Sequence, residues 1–227
     1  MPDPRAQHGF TAKSFEFLDG LAENNDRDWF NAHKDEFEAH VREPFIDLLD
    51  ALTERLADTD VPLRGNPKTV FRMNRDVRFS NDKSPYKTSI AAVLTPSGTK
   101  KEAGGLLYVH MDRTGGFAGT GWHNLAPRAL KPFREAMIAK SERFDAVRAA
   151  LGKRSRRFAD GNSLTAMPRG FEDYGEHRHA DAIRLKSLLI SEDLPKSAFT
   201  SGDVGARVER LARDAMPFLV WGREIAA

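Results

Sequence analysis

Apolar residues recur at helical spacing through the first quarter of the chain. One stripe over residues 15–21 predicts a short helix, and a second over residues 30–56, with intervals of three, four or seven, predicts a longer one. The Asn-Asn-Asp run at 24–26 supplies side-chain oxygens that can cap the second helix. Pro44 lies within the second stripe, and because proline lacks an amide donor it either kinks that helix or begins a new one.

The period changes from helical to alternating after residue 62. Residues 68–80 predict a strand whose apolar face carries Phe71, Met73, Val77 and Phe79. Arg75 falls on the same face. Because a buried guanidinium needs acceptors, we expect Arg75 to be ion-paired or to lie at a bulge.

Three further alternating segments follow at short intervals. They cover residues 87–95, 106–112 and 117–122. The Gly-Gly pair at 115–116 favours a tight hairpin between the last two, because glycine tolerates positive φ. Four consecutive strands with short connections predict an antiparallel meander.

The rest of the chain has mainly helical periodicity. Asn124 is a candidate N-cap, and Pro127 suits the first turn that follows. Two amphipathic helices are predicted over residues 130–151, and a short helix over residues 179–186. A strand over residues 187–191 and a final helix over residues 204–218 follow. We therefore expect one α+β domain over residues 1–227, an antiparallel meander sheet flanked by N-terminal and C-terminal helices.

Composition narrows the class of protein. The chain has 227 residues, of which 40% are hydrophobic, and this is enough apolar material to exclude wholesale disorder. It has no cysteine, which excludes disulfides, thiol nucleophiles and cysteine zinc sites. The chain begins without a signal-peptide pattern and has no apolar run of 18 residues, so we expect a cytoplasmic protein without a membrane span. We expect no metal site, and no particular cofactor is indicated.

The net charge of +2 hides an uneven distribution. Residues 1–60 hold 6 basic and 15 acidic side chains, residues 61–101 hold 9 and 2, and residues 102–227 hold 20 and 16. Two explanations stay open. The acidic and basic segments pack together and neutralise each other, or the basic segment binds an anionic ligand.

The basic segment centres on the run RMNRDVRFSNDKSPYK at residues 72–87. Arginine forks match phosphate or carboxylate oxygens, and neighbouring aspartates can orient those arginines. The candidate ligand-binding residues are Arg72, Arg75, Arg78, Asp82, Lys83, Tyr86, Lys87 and His123.

A histidine supplies the candidate acid–base chemistry. Strand alternation predicts that His110 shares one face of its strand with Tyr108 and Asp112. If the predicted strand over residues 68–80 lies beside it, Asp76 comes close, so His110 and Asp76 are the candidate catalytic residues.

The segment from Arg75 to Lys87 resembles the signature of domain of unknown function 2461, a family found in bacteria and some fungi. The resemblance covers about residues 10–220 and extends to other short motifs. These are Asn24-Asn25, Trp29-Phe30, His33-Lys34, Tyr108-Val109-His110, the glycine-rich run 115–121 with Trp122, and Arg134. The resemblance implies a single α+β domain and no established activity.

Three functions therefore stay open. The first is a pocket that binds a small phosphate- or carboxylate-bearing molecule, with or without catalysis, and it requires the motif cations to converge near His110 or His123. The second is a nucleic-acid or protein interaction module, which requires a continuous exposed basic face. The third is a structural ion-pair network in which the motif charges are consumed internally.

Overall fold

The N-terminal quarter of the chain is helical, which confirms the prediction from apolar spacing. In the computed structural model, which describes residues 9–226, its elements are α1 (Ala12–Glu23), α2 (Arg27–Ala32), α3 (Lys34–Phe37), a π-helical turn (Glu38–Arg42) and α4 (Glu43–Arg55). Asp26 caps α2 by accepting a hydrogen bond of 2.8 Å from the Trp29 amide. Pro44 lies in the first turn of α4, directly after the π-helical turn, and because the backbone stays helical at Phe37, Arg42 and Glu43 it marks a π-bulge in a continuous helical run rather than a new start.

Four antiparallel strands form one sheet in the order β1-β2-β3-β4. They are β1 (Ser89–Leu94), β2 (Leu106–Asp112), β3 (Gly115–Trp122) and β4 (Leu188–Pro195). The first three match the predicted segments, and Gly115 opens β3 at φ 137°, directly after the two-residue turn at 113–114. The α+β class and the antiparallel meander are therefore confirmed.

The strand predicted over residues 68–80 is wrong. This segment makes isolated bridges, such as the one between Val70 and Ala92, and then leaves the sheet. Its alternation does not mark a buried face, because Phe79 is 96% exposed. The fourth strand is instead β4, which was predicted at residues 187–191 and pairs with β3.

The segment that precedes the motif occupies the outer edge of β1. Arg64 and Thr95 exchange two backbone hydrogen bonds, of 2.9 and 3.0 Å. The Phe71 amide donates to the Ala91 carbonyl at 2.8 Å, so Phe71 lies opposite Ala91. The Phe71 ring then lies 6.2 Å from the ring of Tyr108 on β2.

The C-terminal half adds most of the remaining helices. They are α5 (Pro127–Ala139), α6 (Ser141–Gly152), a 3₁₀ turn (Glu172–Tyr174), α7 (Ala180–Ile183), α8 (Lys196–Thr200), α9 (Val204–Asp214) and α10 (Met216–Ala226). Asn124 is not the cap of α5: it adopts φ 47°, and Ala126 is the N-cap, with Pro127 as the first helical residue. The single final helix predicted over residues 204–218 is two helices, because the backbone breaks at Ala215.

The two faces of the sheet differ in how far they are covered. Helices α8, α9 and α10 pack against the inner face, which carries fully buried side chains such as Leu107, Val109 and Ile190. On the outer face, Tyr108 and His110 are half-buried and Phe117 is 37% exposed. An antiparallel sheet tolerates one accessible face, and that face positions the candidate site. No helix within the described residues is long and apolar enough to cross a membrane.

Candidate functional site

Residues 72–87, called the motif loop below, form a two-stranded loop that projects from the sheet and leads into the N-terminal end of β1. The Lys87 amide donates to the Met73 carbonyl and the Arg75 amide to the Pro85 carbonyl, both at 2.8 Å. The chain between those pairs projects away from the sheet. Its tip carries Phe79, whose ring is 5.8 Å from the Arg78 guanidinium carbon.

The charges at this tip pair with one another. Arg78 binds Asp76 through two hydrogen bonds of 3.0 and 2.8 Å, and Arg75 is ion-paired with Asp82, as predicted for a guanidinium that needs acceptors. Lys83 donates to the Val77 carbonyl at 3.0 Å. Within residues 9–226, none of these groups pairs with an acidic residue of the N-terminal helices. The neutralisation is therefore local to the loop.

Both loop aspartates are held in the ionised form. The hydrogen bond from Arg78 lowers the pKa of Asp76, and hydrogen bonds from the Ser84 hydroxyl and amide, with Arg75, lower that of Asp82. The ion pairs are exposed, so water screens them and each contributes little to stability. They order the tip of the loop rather than anchor it.

The anchor of the loop is an amide clamp on Tyr86. The Asn25 side chain accepts a hydrogen bond from the Tyr86 amide and donates one to its carbonyl, both at 3.0 Å. The Tyr86 ring is only 8% exposed and stacks on Phe30 with 4.2 Å between ring centroids. Tyr86, predicted as a ligand-binding residue, therefore packs in the core.

A line of polar groups runs along the outer face of β2. The Tyr108 hydroxyl lies 3.2 Å from His110 Nδ1, and His110 Nε2 lies 3.5 Å from a carboxylate oxygen of Asp112. This line, called the Tyr-His-Asp chain below, confirms that the three side chains share one strand face. The carboxylate beside His110 is Asp112, not the predicted Asp76, which lies in the motif loop bound to Arg78.

The environment of the Tyr-His-Asp chain sets its protonation. Burial lowers the pKa of His110 below 6.5, and the nearby Lys87 ammonium lowers it further, while Asp112 opposes both. Burial also raises the pKa of Tyr108. Burial alone would raise the pKa of Asp112, but hydrogen bonds from the Thr114 hydroxyl and amide lower it. At neutral pH the Tyr-His-Asp chain therefore consists of a neutral phenol, a neutral imidazole and a carboxylate.

A depression of about 500 Å³ opens beside Tyr108 on the outer face. Its floor includes Gly119 and Gly121, and Phe117 stands at one side with its ring 5.5 Å from that of Tyr108. Gly121 adopts φ 122°, which excludes most side chains, whereas a Cβ on Gly119 would meet only ordinary contacts at 3.7 Å. The surface is mainly apolar.

The predicted site residues are brought together only in part. Lys87 lies two residues before Ser89, which pairs with Asp112, so its ammonium is near enough to His110 to lower the pKa of that ring, but His123 lines the far end of the depression. Phe117 pairs with His110 across the strands, and six residues of strand then separate it from His123, about 20 Å. Among the remaining predicted cations, Arg72 lies near Asp76 and lowers its pKa.

Two aromatic residues of the depression were outside the predicted site. Tyr108 was placed on the correct face by alternation but was not assigned a binding or catalytic role. Phe117 could have been found from the hairpin register, because a two-residue turn at 113–114 places it opposite His110. Within the part of the chain that the structure describes, no cluster of three or more His, Asp or Glu side chains is arranged to hold a metal ion.

Comparison with known proteins bears on the whole of this arrangement. A family model described as "Conserved hypothetical protein (DUF2461)" matches residues 13–221. The chain belongs to this family. The DUF2461 match begins within α1 and ends within α10, so it includes the motif loop and all four strands. A search of curated proteins found no match.

Proposed function

We propose that this DUF2461 protein binds a small organic anion with a planar apolar part in the depression on the outer face of the sheet. The observation that carries the proposal is a mainly apolar depression that adjoins the Tyr-His-Asp chain. Ligand sites typically combine an apolar concave lining with a few polar groups that fix orientation. The rings of Tyr108 and Phe117 supply stacking surfaces, and Gly119 leaves the floor open.

The anionic character of the ligand is argued from Lys87. Its ammonium lies near the Tyr-His-Asp chain, and among residues 9–226 it has no ion-pair partner. Arg75, Arg78 and Lys83 already have acceptors, so in this proposal they order the loop that carries Lys87. Lys87 does not line the depression, so a phosphate or carboxylate held beside Tyr108 is attracted by the ammonium through space rather than by direct contact.

The proposal includes a hydrogen bond between the Tyr108 hydroxyl and the ligand. Tyr108 lines the depression, whereas His110 lies behind it, between Tyr108 and Asp112. A neutral imidazole can accept a hydrogen bond from the phenol at Nδ1 while its Nε2–H faces the carboxylate. His110, predicted as catalytic, then positions the Tyr108 hydroxyl, and the raised pKa of Tyr108 with the lowered pKa of His110 keeps the proton on the phenol.

The aromatic rings also favour a second candidate, single-stranded nucleic acid. Phe71, Tyr108 and Phe117 form a row of rings on an antiparallel sheet, and Lys100 lies 5.5 Å from the Phe71 ring. Bases stack on such platforms while nearby cations follow the phosphates. Because the depression has about 500 Å³ of space, the usual size of a small-molecule site, and Leu106 and Leu189 make its lining apolar, we favour the small molecule.

Filling the depression tests the proposal. Gly119→Leu places a side chain on its floor without backbone strain, and Gly161→Leu is the matched control on an exposed loop with open space around it. Phenyl phosphate, inorganic phosphate, phenol and a ten-nucleotide oligouridylate are titrated by calorimetry. We expect phenyl phosphate to bind best, Gly119→Leu to weaken it at least about tenfold, Lys87→Gln to weaken it about threefold, and the control to bind normally.

The contrary results are distinct. Equal binding to Gly119→Leu and the unmodified protein, or no binding of phenyl phosphate at millimolar concentration, would overturn the proposal. Tighter binding of the oligonucleotide than of phenyl phosphate, with steep salt dependence, would establish the nucleic-acid alternative instead.

The protonation state of His110 gives an independent prediction. Its pKa is lower in the folded protein than in the unfolded chain, so the unfolded chain binds more protons, and stability should fall as pH drops below about 6.5. We expect an NMR titration of the ring to give a midpoint below 6.5. His110→Gln should flatten the dependence of stability on pH between about 5 and 7; a midpoint above 6.5 would remove the neutral imidazole from the mechanism.

A further inference from the structure

A second concave surface lies on the helical side of the molecule, between α5 and residues 164–174. This groove encloses about 1270 Å³ of space. Five basic side chains line it, and the one acidic side chain among its described lining residues, Glu135, is 3.5 Å from one of them. The five are Arg128, Lys131, Arg134, Arg169 and Lys186.

Arg134 differs from the other four in being buried. It is 5% exposed, whereas the others lie on the rim and are exposed. Its Nε donates to the Ile183 carbonyl at 2.8 Å and its Nη2 to the Leu185 carbonyl at 3.2 Å. The guanidinium also lies over the Phe171 ring, 5.9 Å from its centroid.

No carboxylate balances this buried cation. Among residues 9–226, Arg134 makes no ion pair, and burial alone accounts for the lowering of its pKa. Buried charges in proteins are ordinarily paired, because desolvating an unpaired ion is costly. A neutral N–H donor would be enough to bond the carbonyls of Ile183 and Leu185. These two hydrogen bonds therefore do not by themselves explain why a permanently charged side chain is buried here.

The third nitrogen of the guanidinium has no hydrogen-bond partner among the described residues. Arg134 Nη1 donates to no acceptor in the described residues, yet it is not enclosed, because the enclosed side-chain atoms without a partner are His179 Nδ1 and Arg184 Nε. An accessible, unbonded Nη1 on a residue that lines the groove therefore offers a free donor to a ligand there.

We propose that this groove binds an amphipathic organic anion, with a carboxylate or phosphate head at Arg134 and an apolar body along the groove. The head replaces the missing counter-ion and is attracted by the four rim cations. The apolar side chains that would receive the body are Leu125, Ile138, Leu164, Met167, Phe171 and Tyr174. The site is separate from the sheet depression and does not depend on the function proposed for it.

Calorimetric titration with octanoate, octanol and inorganic phosphate tests the site. We expect octanoate to bind at least about tenfold more tightly than octanol, because only the carboxylate brings the negative charge that the buried guanidinium lacks. Arg134→Gln should weaken octanoate at least about tenfold. Gly119→Leu, which fills the sheet depression, should leave octanoate binding unchanged.

A rim variant keeps the test decisive if Arg134→Gln fails to fold. Arg128→Gln combined with Lys186→Gln removes two exposed groove cations, and Lys68→Gln combined with Lys101→Gln removes two exposed cations elsewhere. We expect the first pair to weaken octanoate at least threefold and the second to have no effect. Equal effects of the two pairs of substitutions would overturn the proposal, and so would equal affinities for octanol and octanoate. Absence of octanoate binding at about 10 mM, which is of order 10⁴ times a micromolar Kd, would also overturn it.

Discussion

The tip of the motif loop and the groove between α5 and residues 164–174, called the α5 groove below, are both basic, but the arginines of the tip and Arg134 of the groove are in opposite situations. In the loop, Arg75 and Arg78 are accessible to water and each has an aspartate within the same loop. In the groove, Arg134 is buried and bonds only neutral carbonyls. The loop tip has the denser run of charges, and its arginines are ion-paired, whereas the buried arginine of the groove is not. A site is better indicated by a buried charge that lacks its counter-ion than by the number of charges in a segment.

Solvation explains why this difference matters. Water screens the exposed ion pairs of the loop, so making or breaking them changes the free energy of unfolding little. Arg134 is only 5% exposed, so water screens its charge less than it screens the ion pairs of the loop. The same substitution should therefore have very different effects at the two places.

Charge reversal should give the largest contrast. We expect Arg134→Glu to lower the free energy of unfolding by at least about 4 kcal/mol, because a buried carboxylate would face two carbonyl oxygens without a partner. Arg78→Glu, the matched reversal in the loop, should leave the fold intact. Chemical denaturation measures both, and comparable losses would remove the distinction between the two regions.

Removal of the loop anchor should have the next largest effect. Tyr86→Ala deletes a buried ring that stacks on Phe30, and we expect a loss of about 3 kcal/mol in unfolding free energy. Tyr86→Phe keeps the ring and should cost less than about 1 kcal/mol. If the phenylalanine variant is as unstable as the alanine variant, the hydroxyl rather than the ring anchors the loop.

The smallest effect should come from the loop charges themselves. Asp76 is exposed and pairs only with Arg78 and the nearby Arg72, so Asp76→Lys should shift the midpoint of thermal unfolding by no more than about 3 °C. Differential scanning calorimetry can resolve such a shift. Unfolding of this variant at room temperature would show that the motif is a structural ion-pair network after all.

The fold was largely predictable because its strands have one fully buried face. Alternation in β2 and the glycine pair that opens β3 gave the hairpin and placed Tyr108, His110 and Asp112 together. The same rule failed at residues 68–80, where Phe79 completes an apolar alternation yet projects into solvent. An alternating pattern reflects only the types of side chain, and the segment forms a strand only where a partner strand and a core are both present.

The candidate sites were less predictable because they combine distant segments. The sheet depression could be approached from β2 and β3, which are adjacent in sequence, but Leu189 comes from a strand about 70 residues later. The α5 groove joins α5 with residues 164–186, and no local pattern relates the two. Arg134 was singled out only as part of the family resemblance, without a role, and only its packing shows that its charge is unbalanced.

The backbone bonds that Arg64 and Phe71 make along β1 close one side of the sheet to other molecules. An unprotected strand edge presents a row of free donors and acceptors that can recruit a strand from another chain. The segment leading into the motif loop therefore guards against self-association, and Asn25, by holding Tyr86, keeps that guard in position from 61 residues away in sequence. If the clamp opens, intermolecular strand pairing should be the first defect to develop.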